Sequence, residues 1–557
     1  MPPGAAGHES RDERPDDAPS RIAPIELAIL AALVALGALT RAHGFTSKDL
    51  WFDDAWASAP ARVGLGAAVH MVLTAPGYGL ALRSWIRFDP ATTWFAQLPS
   101  YLLGIGAIPV VWGLLRRLHL PRWSALGAAA FLAAGPLAVQ YSTRVKEYPF
   151  DLLAACVLLV LAERVRAAPS SQRLWTLAGA SVVAFAMSAG PAPVIAGIWL
   201  SVILWYVVRP GSRAGVLSAL AAMAAGCALV WVVFLRQLPG VLSFNWRRRG
   251  FLVDYRSFSL AERSITMIFG GFAHAVVAYP VPATFFNTKR GPHAISVALL
   301  GAALLAVAIA GPIVIAARRR WSTPALPSAI ALLVAVLLAF ADRVPLGDGR
   351  TDEVLYPAFF VCLASMAATV ALRIARAAPR ALSNRAARTG LAALALAGVT
   401  VFGFTHEAVY PTVSIRSVEA RLPALERPGD VVFVDTFNSF AWCYYQLSKC
   451  RIQIGGSPVW PQGFRPVSTS PSVFVASHYG RPLPEIFAAE RRARRIWYVG
   501  YTYGTYFVAA GTSRTNSPVA TYMSGQLLLD GWHQAPPSLS TVIFGLHSYA
   551  RLYVKGS

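Results

Sequence analysis

The sequence predicts a polytopic all-α membrane bundle of about eleven transmembrane helices with a C-terminal extracytoplasmic α/β domain. Three observations carry that prediction. Only 14% of the 557 residues are charged and the mean hydropathy is +0.49, whereas a soluble domain carries roughly 25% charged residues. Apolar runs near the roughly 20 residues that a bilayer requires recur along the chain. The arginines between them fall on alternate loops. Together these exclude a disordered chain and an ordinary cytosolic enzyme.

Residues 1–21 are rich in Pro, Gly and charge and predict a disordered cytoplasmic N-terminus. The run 22–40 follows without a cleavage signal and reads as a retained signal anchor. Further runs lie at 94–115, 123–141, 149–163, 174–190, 192–208, 214–235, 293–316, 322–341, 353–372 and 389–405. The pair 174–190 and 192–208 is split only by Gly190–Pro193 and can also be read as one broken re-entrant pair. The short loops 116–122, 163–173, 209–213, 318–320 and 373–388 hold 16 Arg and a single acid, Glu163. The positive-inside rule makes these loops cytoplasmic and the segment after 405 external. It also accounts for much of the net charge of +23 without a nucleic-acid partner.

The expected organisation is therefore a membrane module over 22–405, with interfacial helices in the outer loops 42–93 and 236–292, and an external α/β domain over 406–557. Within the last, 430–436, 495–504 and 540–554 are rich in β-branched and aromatic residues and predict strands. Segments 416–427 and 437–448 predict helices. Cys156, Cys227 and Cys362 lie in apolar runs and read as packing residues. Cys443 and Cys450 lie in the external tail, where their spacing permits either a disulfide or two free thiols.

The chemistry concentrates in the outer loops, because the spans are nearly free of ionisable residues, unlike those of ion-coupled transporters. The first motif is Leu50-Trp51-Phe52-Asp53-Asp54-Ala55-Trp56. Two adjacent carboxylates among aromatic rings can supply a base for an attacking hydroxyl, or an N-cap for a helix beginning near Ala55. The second is the loop from Tyr141 to Asp151, where Arg144, Lys146, Glu147 and Tyr148 crowd one turn. Its cations can hold a lipid phosphate, and Glu147 can act as a second acid or metal ligand; snorkelling side chains around a solvated ion pair are the structural alternative. A Gly/Pro turn presents Arg350 at the head of the run 353–372. In the long outer loop, Trp246, Arg247, Arg248 and Arg249 form a cationic wall suited to an anionic lipid or acceptor, although long loops tolerate such charge.

In order and spacing these motifs resemble the GT-C superfamily of integral-membrane glycosyltransferases. The nearest branch is bacterial, related to the protein mannosyltransferases and the lipid A aminoarabinose transferase. Many such proteins read LW-[FLY]-DE-AW in the first outer loop, where this chain has Asp54 in place of Glu. Lys146, Tyr148 and Asp151 match a K-x-Y-x-x-D pattern in the second. The resemblance implies transfer of a sugar from a polyprenyl-phosphate-sugar donor to a cell-envelope glycan, lipid or protein outside the cytoplasmic membrane, with inversion. Asp53 or Asp54 would be the base, with Glu147 as a further acid. Arg144, Lys146, Tyr148 and Arg350 would bind the donor phosphate. Some members hold a divalent metal, Mg or Mn, between acids such as Asp53, Asp54 and Glu147, and others do not. The competing readings are a flippase for a lipid-linked sugar and a non-catalytic wall-binding membrane protein.

Overall fold

The computed structural model describes residues 22–42, 45, 50, 52–69, 75–90, 92–208, 213–235, 252–276, 292–318, 321, 323–347, 351–377, 415–446, 450–454, 464–470, 472–475, 491–503, 515–516, 532–535, 542–544 and 548–555. The run 389–405, Arg350 and the wall Trp246–Arg249 lie outside them.

The chain begins with α1 (Pro24–Ala42), which carries Glu26 in its first turn and Arg41 in its last, the polarity that the helix dipole favours. Three short helices follow: α2 (Phe52–Val63), α3 (Leu65–Val69) and α4 (Pro76–Ile86). Helix α2 starts at Phe52, so Asp53 and Asp54 sit inside its first turn rather than at its cap. The long α5 (Thr93–Arg117) returns across the bundle and ends on Arg116 and Arg117.

The run expected as one span over 123–141 is two helices, α6 (Arg122–Ala134) and α7 (Pro136–Tyr141). Pro136 has no N–H for an α6 hydrogen bond and disfavours helical geometry at the residue before it. Gly135 instead takes an extended conformation, and its N–H closes the last turn on the Phe131 carbonyl at 2.7 Å. Helix α8 (Tyr148–Ala167) has Pro149 in its first turn, where a missing N–H costs nothing. Ser170 caps α9 (Ser171–Met187) by accepting from the Arg173 N–H. A separate α10 (Ala192–Val208) follows, so the Gly-Pro segment divides two helices. Next come α11 (Arg213–Val230), with a closing π turn at Trp231–Leu235, then α12 (Phe258–Val276), α13 (Pro292–Arg318), α14 (Leu326–Phe340) and α15 (Tyr356–Ala377).

Among the described residues, four helices are long and apolar enough to cross a membrane: Pro24–Ala42, Thr93–Arg117, Gly215–Leu235 and Ala298–Arg318. Shorter apolar helices span Ala192–Val207, Leu326–Phe340 and Glu353–Thr369. Most of these pack through one core, in which Ile108, Val111, Leu158, Ile198, Leu332 and Phe359 are fully enclosed. Helix α12 lies against the turn that follows α14 at two facing glycines. A Cβ on Gly271 would overlap the Gly347 carbonyl, while Gly347 itself has φ +85°. Only residues without a side chain allow this crossing.

Beyond α16 (Arg416–Arg421) the chain builds a sheet. Its strands are β1 (Val431–Val434), β4 (Val473–Val475), β5 (Arg495–Tyr503), β7 (Trp532–Gln534) and β9 (Ser548–Lys555), in the order β4-β1-β5-β9-β7. Strand β1 is parallel to both neighbours, and β9 is antiparallel to β5 and β7. Strands β6 (Thr515–Asn516) and β8 (Val542–Phe544) flank β5 and β9. Helix α17 (Thr436–Tyr445) follows β1, with Asp435 accepting from the Asn438 N–H as its cap. A separate hairpin pairs β2 (Cys450–Ile454) with β3 (Phe464–Ser468). Cys443 of α17 and Cys450 of β2 are joined in a disulfide, with their Cα atoms 5.1 Å apart.

A second core is shared between this sheet region and the short helices. It contains Ala55, Ala57, Ala59 and Ala61 of α2, Tyr78 and Leu82 of α4, Val145, and Phe440, Trp442, Tyr444, Trp497 and Leu552. Trp56 stacks on Phe440 with ring centroids 5.5 Å apart. Arg62 lies over the Tyr444 ring and donates to the Tyr444 carbonyl.

Candidate active site

Helix α2 turns its alanines toward the second core, and Asp54 faces the loop before α8. Asp54 is fully buried. Its Oδ2 accepts from Arg144 Nη1 at 3.2 Å and its Oδ1 from the Val145 backbone N–H at 3.1 Å. Arg144 is only 4% exposed. Two motifs ninety residues apart are thereby clamped into one unit. The clamp fixes the orientation of the carboxylate and the path of the loop together.

The loop carries the rest of the cluster. Ser100 of α5 donates to the Lys146 carbonyl at 3.0 Å and fixes that turn. Lys146 is half-buried, and its ammonium makes no hydrogen bond or ion pair among the described residues. Glu147, also half-buried, occupies the N-cap position of α8. Tyr148 meets Tyr141 edge-to-face with ring centroids 5.4 Å apart. The side chain of Asp53 and the whole of Arg350, Trp246, Arg247, Arg248 and Arg249 are outside the described residues.

Several polar residues that the motifs did not single out for the site complete it. Tyr78 of α4 is buried beside the acids. Its burial and the charge of Glu147 hold its hydroxyl well above the ordinary tyrosine range; Asp54 and Asp151 act the same way, and a hydrogen bond with Ser100 opposes them. Asp151, one turn into α8, is 4% exposed. Its carboxylate meets Ser188 and lies so close to Gly190 that a Cβ there would overlap it. Glu353 is buried behind it, and Asp352 accepts the Gly347 N–H on both oxygens at 3.1 and 3.0 Å. Arg41 ends α1 in the same layer. It donates to Ser142 Oγ at 2.7 Å and to the carbonyls of Gly37, Leu132 and Ala133. Asp151 was in the K-x-Y-x-x-D match; for Arg41 and Glu353 the available signal was an ionisable residue at the very end of an apolar run.

Among the described residues no group of three His, Cys, Asp or Glu side chains is placed to hold a metal ion. Both Asp54 oxygens are already engaged by Arg144 and Val145.

No family model matches the chain. No curated protein sequence matches it. Solved structures do. The chain is similar to ArnT from Cupriavidus metallidurans in the apo state, at 14% identity and a TM-score of 0.48, covering 95% of this chain and 98% of that one. It is also similar to the arabinofuranosyltransferase AftD from Mycobacteria, at 14% identity and a TM-score of 0.41, covering 95% of this chain and 40% of that one. The R1389S mutant of AftD aligns at 15% identity and a TM-score of 0.41, over 41% of its length.

Proposed function

We propose that the protein transfers a sugar from a polyprenyl-phosphate-sugar donor to an acceptor glycan, lipid or protein on the outer face of the cytoplasmic membrane. The observation that carries this reading is the clamp of Asp54 on Arg144 and Val145 beside a half-buried Lys146 without a partner among the described residues. Arg144, Lys146 and Glu147 share one turn at the head of the apolar helices. A prenyl chain remains in lipid while its phosphate sits at headgroup depth, which is where such chemistry is needed.

In this reading Asp54 is a positioning residue that holds the Arg144–Glu147 turn through its contacts with Arg144 and Val145. The base role falls to Asp53, its neighbour in the first turn of α2. The base removes the acceptor hydroxyl proton as the acceptor oxygen bonds to the anomeric carbon. The bond from that carbon to the phosphate oxygen breaks with its electron pair, the carbon passing through an oxocarbenium-like state and inverting. Lys146 stabilises the departing prenyl phosphate, an electrostatic contribution of several kcal/mol in a site with little water. Tyr148 and Arg350 are assigned to the same phosphate. Residues 22–405 then form the transferase module, with the N-terminus cytoplasmic, and 406–557 an external domain that closes over α2.

The test uses the full chain in nanodiscs with a panel of prenyl-phosphate-linked sugars and mass-spectrometric detection of product. Asp53→Asn should lower transfer by about 10²-fold or more in protein that still folds. An Asp53→Asn/Asp54→Asn protein with undiminished transfer would overturn the reading. Movement of labelled donor between leaflets with no product would favour the flippase.

A further inference from the structure

At the opposite end of the bundle from the acid cluster, about one helix length away (the 20 residues of α8 rise roughly 30 Å), lies an open cavity of about 1020 Å³. Its wall is made by the start of α1, the end of α5, the end of α8 and the start of α9. Some of its charges are already engaged. Arg116 pairs with Glu26 at 2.9 Å, Arg166 nearby holds Glu163 through two contacts of 2.5 and 2.6 Å, and Arg173 caps the last carbonyls of α8 at Arg164 and Ala168. That leaves Arg117, Arg164 and His119, whose side chains make no ion pair or hydrogen bond among the described residues. Ile22 and Leu161 give the same cavity an apolar floor. The one acid in the lining among the described residues, Glu163, is spent on Arg166.

We infer that this cavity binds the phosphate of an anionic phospholipid, its headgroup on Arg117 and Arg164 and its acyl portion along Ile22 and Leu161. The arginine bias of the loops places this end in the cytoplasmic leaflet, where anionic lipid is attracted to basic pockets between membrane helices. That bias explains why arginines are present. It does not explain why two of them face a hollow beside apolar side chains and without counter-ions among the described residues. Guanidinium groups pair with phosphate oxygens through two parallel N–H bonds, which suits a diester headgroup better than a bare surface would. The inference does not depend on the reaction proposed above.

The experiment is native mass spectrometry of the full chain in detergent, titrated with phosphatidylglycerol or phosphatidylcholine, with inorganic phosphate as competitor. The wild-type protein should retain phosphatidylglycerol preferentially. Arg117→Gln/Arg164→Gln should weaken that retention by about tenfold or more, the value of one or two charge-assisted bonds. Arg122→Gln, a nearby cation that lies over the Trp123 ring outside the cavity, should leave it unchanged. Equal weakening by Arg122→Gln, or equal retention of the two lipids, would overturn the site as diffuse surface charge. Displacement of the lipid by millimolar inorganic phosphate would overturn the lipid assignment in favour of a soluble anion. Should the double variant fail to fold, Arg117→Lys/Arg164→Lys keeps the charges and loses the bidentate geometry, and retention there equal to wild type would likewise count against the proposal.

Discussion

Replacing Asp54 by Asn tests the clamp most directly. Asn preserves the shape of the side chain and can still accept the Val145 N–H, but it faces Arg144 with no charge. At the observed 3.2 Å, two unit charges in a medium of effective dielectric near 20 attract by about 5 kcal/mol. Arg144 is 4% exposed and cannot rehydrate unless its loop moves. Removing one member of such a buried pair costs about 3–5 kcal/mol. Asp54→Asn and Arg144→Met are each expected to destabilise the protein by that amount. Their combination should cost less than the sum, with a coupling of about 2–3 kcal/mol. Denaturant titration in mild detergent, followed by tryptophan fluorescence, measures all three. Additivity within about 0.5 kcal/mol would refute the idea that the two residues hold each other.

Asp53→Asn should leave that stability unchanged while lowering transfer by about 10²- to 10⁴-fold, the usual contribution of a general base; an unaltered rate sends the base role elsewhere. Lys146→Met should mainly impair the step in which the prenyl phosphate departs, with kcat falling more than KM rises, and Lys146→Arg should restore part of it. In alkali, Tyr78 is held well above its ordinary range by burial and Glu147, and burial pushes Tyr444 up to about 12. Unfolded tyrosine ionises near 10, so the stability these hydroxyls contribute is complete below that pH and is lost as pH rises through the folded values. Ultraviolet titration should show both ionising only with unfolding, and early reversible ionisation would contradict their burial. Trp56→Ala removes the Phe440 stack and should cost about 3–5 kcal/mol, measured as a loss of midpoint in the same denaturant titration.

Local chemistry was legible where it depends on neighbours along the chain. The strands around 431–434 and 495–503 follow from short patterns. The Gly135–Pro136 break was also in the sequence, but hydropathy summed over 123–141 conceals one residue's geometry. The importance of Asp54 could be read from its motif, while its partner could not, because Arg144 is ninety positions away and only tertiary packing brings it near. Arg41 and Glu353 escaped for a related reason: at the end of an apolar run an ionisable residue looks like a boundary marker. Its burial depends on which other helix ends meet it. The stacking of α2 on α17 had no signal either, since an aromatic at Trp56 fits a membrane interface equally well.

The sharing of α2 between two masses has a mechanical result. Trp56 and Asp54 are two residues apart on one short rod, about 3 Å along its axis, one gripped by the sheet region and the other by the loop before α8. A rocking of the sheet on its seat cannot be absorbed between them. It reaches the Asp54 carboxylate as a tilt, so whatever docks against the sheet gains leverage over the loop before α8 without approaching it.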